Sequence, residues 1–127
     1  MGENDKYSLN NEGVNRAGAQ QFARAVEKFE AALKLDPAYE PSRQNLGACL
    51  NNLAIELAKT NKYPEAAIKF KRSLELQQNS KDQERKVTTM RNYAVVLTNL
   101  NRNSEAAMIK TAADKLTADS AVTSLKK

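Results

Sequence analysis

The chain has 127 residues, with 20 Lys and Arg against 15 Asp and Glu, a formal net charge of +5, one cysteine and no histidine. That length can bury a core without disulfides or a structural metal, and the lone Cys49 excludes an internal disulfide framework. The missing histidine removes the usual neutral-pH acid/base and the commonest metal ligand, and the four glycines form no phosphate-cradling loop, so no enzyme and no cofactor is expected.

The period of 3.6 residues runs through nearly the whole chain. A first helix is predicted over about residues 7–19. The second carries Phe22, Ala25, Val26, Phe29, Ala32 and Leu33 on one apolar face. Asp36 and Pro37 end it, since proline disfavours helix in the residue before it. Pro41 or Ser42 opens the third, whose face holds Leu50, Leu53, Ala54 and Leu57; Thr60, Asn61 and Lys62 close it. Pro64 suits the first turn of the fourth, which carries Tyr63, Ala66, Ala67, Phe70 and Leu74. Ser80 and Gln83 match a capping box for the fifth, with Met90, Tyr93, Ala94, Leu97 and Leu100 on its face. Residues 101–104 form the last turn, before a helix with Ala106, Ile109, Ala113 and Leu116. The polar tail, residues 119–127, is expected as a short capping helix over the last hairpin or as a frayed end. Cys49 is expected to be a small buried residue, and Tyr39 to plug the joint between repeats.

Surface chemistry narrows the function classes further. The basic residues are scattered, with short clusters only at residues 69–72 and 126–127, the pattern of a solvated helical surface rather than a nucleic-acid stripe. Glu65 and Lys69 sit at i,i+4 spacing, which is surface pairing and not a catalytic dyad. No apolar run reaches membrane-spanning length. The opening residues lack the apolar region of a signal peptide, and the expected location is cytoplasmic.

The six helices pair into three hairpins that are copies of one another. "QQFARAVEKFEAALKLD" (20–36), "NKYPEAAIKFKRSLELQ" (61–77) and "NRNSEAAMIKTAADKLT" (101–117) align without a gap, with Ala25, Ala66 and Ala106 in register. Such self-similarity predicts a solenoid. A single domain, 1–127, is expected, with repeats over about 6–37, 41–79 and 80–118.

These residues resemble the tetratricopeptide repeat family. Its pattern of small and aromatic residues is supplied by Gly13, Phe22, Ala25, Phe29, Ala32 and Pro37, then by Ala54, Tyr63, Ala66, Phe70 and Ser73, and more weakly by Ala94, Ala106 and Ala113. Asn103 and Lys110 replace aromatics in the third repeat, as suits a terminal helix with no neighbour to cover it. The repeat length near 40, with "NNLA" at 51–54 and "RNYA" at 91–94, is similar to the kinesin light chain branch. The resemblance implies an all-α, right-handed superhelical solenoid whose first helices line the concave face.

Counting from Gly13, Ala54 and Ala94, the concave positions hold Asn11, Asn52 and Asn92 in one column and Val14, Ile55 and Val95 in another. Beside them stand Asn51, Arg91, Lys59 and Asn99. The chain has 13 asparagines, and a chance column of three arises in roughly 3% of such alignments. An asparagine amide offers both donor and acceptor to an extended backbone, and the resemblance implies that such a ladder holds a peptide. The plain alternative is a wet face that tolerates asparagine. The family's carboxylate clamp fits poorly, because Asn10, Val14, Thr88 and Asn92 stand where its other residues belong and only Asn52 matches. The leading expectation is therefore a scaffold or adaptor that binds a peptide segment of another protein. Self-association, as a homo-oligomer or within a larger assembly, is the second reading. A nucleic-acid-binding array is the third.

Overall fold

A computed structural model describes residues 5–125, with side chains through residue 120. Six helices follow one another: α1 (Lys6–Gly18), α2 (Phe22–Leu35), α3 (Glu40–Lys59), α4 (Tyr63–Leu76), α5 (Gln83–Asn99) and α6 (Asn103–Leu125). Each packs on the next in sequence. In addition α1 packs on α3 and α3 on α5, whereas among the described residues the backbones of α2, α4 and α6 stay apart and α2 meets α4 through the exposed Arg72–Glu30 ion pair at 3.2 Å. The odd-numbered helices are thus the crowded inner layer and the even-numbered ones the splayed outer layer of a curved helical solenoid.

Local chemistry sets the ends. The Asp5 carboxylate accepts from the Ser8 N–H at 2.7 Å and caps α1. Asp36 leaves α2 in an extended conformation and accepts from the Ala38 N–H at 3.1 Å. Pro41 and Pro64 both sit in first turns, where a missing N–H costs nothing. The expected Ser80 cap is displaced by two residues. Asp82 caps α5 by accepting from the Arg85 N–H at 3.0 Å, and Ser80 instead accepts from the Asp82 N–H at 3.1 Å. A carboxylate is the stronger acceptor for an orphan helix N–H, so the cap moves to it. The tail expected as a separate capping element instead extends α6 without a break to Leu125. Nothing between residues 103 and 125 interrupts it: there is no glycine or proline, and alanine recurs throughout.

All three hairpin turns place one residue in the left-handed region, Gln20 at φ 60°, Asn61 at φ 62° and Asn101 at φ 61°. Asparagine accepts that conformation readily; glutamine does not.

The core forms two clusters. Phe29, Leu33, Leu46, Cys49, Leu50 and Leu76 join α2, α3 and α4. Phe70, Tyr93, Val96, Leu97, Ala54 and Ala66 join α3, α4 and α5. Each large side chain buried here is worth about 1.5–3 kcal/mol. Cys49 is only 4% exposed, as expected, and burial pushes its thiol pKa up to about 11. Tyr39 packs against the first cluster and meets Tyr7 edge to face, 5.6 Å between ring centres.

Hydrogen bonds join the repeats as well. Asn10 is buried, and its carbonyl accepts from Ser42 Oγ at 2.8 Å and Asn45 Nδ2 at 3.1 Å, tying α1 to α3. Ser73 Oγ donates to the Gly47 carbonyl at 2.6 Å, and Gln77 Nε2 bridges Ser73 Oγ and Thr89 Oγ1 at 2.9 and 3.2 Å. The second network spans α3, α4 and α5 and needs all three elements in place, although the Gln77 side-chain oxygen within it is buried without a partner.

Candidate functional site

The inner layer carries the columns singled out from sequence because the small residues Gly13, Ala54 and Ala94 are themselves buried against the outer helices. Positions two before and one after them then turn away from that contact, following the helical period. Asn11 and Asn52 are exposed and Asn92 is half-buried. Val14 is 47% exposed and Val95 57%, high for branched apolar side chains on packed helices.

Ten residues were expected at the site, and five of them line one cavity. Ile55 and Lys59 from α3 and Asn92, Val95 and Asn99 from α5 surround a hollow of about 260 Å³. Its remaining walls are Ala58, Tyr63, Phe70 and Val96, so it is largely apolar with amides and one ammonium at its rim. Tyr63 and Phe70 are not expected there because the apolar period places them on the core face of α4. Ala58 carries a signal, since it lies four residues after Ala54 on the inner helix, one turn on from the small residue.

The amides differ in how they are engaged. Asn99 Nδ2 donates to the Val95 carbonyl at 3.0 Å, which leaves its side-chain oxygen open. Among the described residues the side chains of Asn11, Asn52 and Asn92 have no hydrogen-bond partner. Lys59, likewise, forms no ion pair among the described residues.

Two other expected residues sit elsewhere. Arg91 lies 3.0 Å from Asp114 Oδ1 and donates to Thr117 Oγ1 at 3.5 Å, both on α6. It borders a separate hollow between α5 and α6, with Val87, Thr88 and Ser120. Asn51 is half-buried and its side-chain oxygen is enclosed without a partner. Its counterpart one repeat earlier is Asn10, which faces the neighbouring repeat. The structure therefore divides the doubled asparagine: Asn52 points outward with Asn11, whereas Asn51 occupies the position that serves as a joint in the first repeat.

Among the described residues no helix is long and apolar enough to cross a membrane. A family model described as tetratricopeptide repeat matches residues 7–79, which spans α1 to α4 and the linker beyond. A search of the curated proteins finds no match.

Proposed function

This chain belongs to the tetratricopeptide repeat family, whose arrays generally serve as protein–protein interaction modules, and we propose that it is a non-catalytic scaffold holding an extended peptide of another protein along its inner face. One observation carries the reading: among the described residues the amides of Asn11, Asn52 and Asn92 are unpartnered, while the side-chain oxygen of Asn10, at a neighbouring position, accepts two hydrogen bonds. Unpartnered amides on one face can pair with main-chain N–H and C=O groups of a peptide irrespective of its sequence. The hollow beside Asn92 supplies the complementary element, room for one apolar side chain against Phe70 and Val96. Each net hydrogen bond contributes about 1 kcal/mol. Together with modest apolar burial this gives a micromolar-class complex, near −8 kcal/mol. Lys59 at the rim favours a partner with a carboxylate nearby.

The test is a peptide-library screen on the intact chain, followed by titration of any hit against Asn52→Ala and Asn92→Ala. Each substitution is expected to weaken binding by about fivefold, equivalent to about 1 kcal/mol, with unchanged helicity. Full affinity in both variants would overturn the amide ladder.

A further inference from the structure

The first hairpin is built unlike the other two, and the difference points to a second use. The only buried residues of α1 are Asn10 and Gly13, so it gives no buried apolar side chain to the core. Its attachments are largely polar: Lys6 to Asp36, Glu12 to Lys28 at 2.9 Å, and Asn10 to Ser42 and Asn45. Its apolar contacts are the Phe29 ring lying against Gly13, the Tyr7 ring against Tyr39, and Ala17 against the first core cluster. The turn that returns α1 onto α2 forces Gln20 to φ 60°, which disfavours a side chain without asparagine's local hydrogen bonding. Yet Ala19, Gln20 and Gln21 are all good helix formers. The other turns differ, because Asn61 and Asn101 suit the left-handed position and Pro64 would break a helix continuing from α3 into α4.

We propose that α1 is an exchangeable element: Ala19, Gln20 and Gln21 become helical, α1 and α2 fuse, and a second copy of this chain places its own α1 in the vacated seat. The fused helix runs from Lys6 to Leu35, about 45 Å. The seat commits the occupant. It requires a residue without Cβ over Phe29, since an added Cβ at Gly13 would lie 2.4 Å from that ring. It also requires a carbonyl between Ser42 and Asn45 and a cation beside Asp36. A second copy of α1 meets all three. Exchange keeps the contacts of α1 with its seat, gives up those of the turn such as Arg16 to Gln21, and removes the left-handed glutamine, and short hinges under strain favour such swapping.

The full chain at millimolar concentration, warmed to just below unfolding and cooled, is then separated by size exclusion with light scattering. A dimer with undiminished helicity is expected. Gln20→Gly frees the turn and weakens the helical hinge, so the dimer share should fall about tenfold. Gln20→Ala retains the left-handed penalty and the helical propensity, so its dimer share should equal or exceed that of the native chain. Absence of a dimer from both the native chain and Gln20→Ala overturns the proposal. So does a dimer whose share is unaltered by Gln20→Gly, since that would mark an ordinary surface contact.

Discussion

The α1 and α5 helices occupy equivalent places in their hairpins yet are held by different forces. α5 buries Met90, Tyr93, Ala94, Val96 and Leu97, while α1 buries only an asparagine and a glycine. One repeat geometry therefore accommodates two attachments, a dense apolar one at α5 and a largely polar one at α1. The contrast teaches that the hairpin shape is set by small residues at the contacts, whereas its stability is set by how many neighbours each helix can cover.

The sharpest way to break that comparison is to truncate one leucine in each helix. Leu97→Ala empties a fully buried site and should cost about 3 kcal/mol in urea unfolding. Leu9→Ala, in half-buried α1, should cost no more than about 1 kcal/mol. Equal losses would show that α1 is as firmly seated as α5. Next in size is Gly13→Ala, whose Cβ would meet the Phe29 ring at 2.4 Å. Displacing that ring should cost about 2 kcal/mol, with amide exchange rising in α1 before it rises in α5. Smaller again are the turns. Gln20→Asn should gain, and Asn61→Gln lose, about 0.5–1 kcal/mol in thermal unfolding, and matching signs at both sites would contradict the account of the left-handed position.

The smallest effect concerns pH. The hydrogen bond from Lys6, then that from the Ala38 N–H, holds the Asp36 carboxyl below its ordinary value, while the bond to Asp36 raises Lys6. A lowered acid stabilises above its unfolded value of about 3.9 and loses that contribution as pH falls through the folded value. A raised base stabilises below about 10.4 and loses its contribution as pH rises through the folded value. Protection of α1 should therefore form a plateau across neutral pH and decline at both extremes, and the decline on the acid side should spare α5. Hydrogen exchange mapped by mass spectrometry reads this directly.

Much of the architecture was legible in the sequence because helical period and alanine register are local and repetitive. Pro41 and Pro64 landed in the first turns of α3 and α4, and Met90 and Tyr93 in the core. The cap of α5 was misplaced because Ser80 and Asp82 both qualify, and only the backbone path decides between them. The candidate site was legible in position but not in partition. Spacing places Asn51 and Asn52 side by side on one helix, yet it cannot show that Asn10, one repeat before Asn51, is consumed by Ser42 and Asn45. Nor does spacing reveal that Arg91 turns to Asp114 on α6. Those outcomes depend on which neighbour each helix meets, and that is decided by packing between repeats.

Cys49 has a practical consequence. It is the chain's one thiol, enclosed between the outer and inner layers and protonated well above neutral pH. Thiolate is the reactive form, so a bulky thiol reagent can label the chain only when the layers part around that site. The rate of labelling under native conditions therefore times the opening of the array, with no engineered probe.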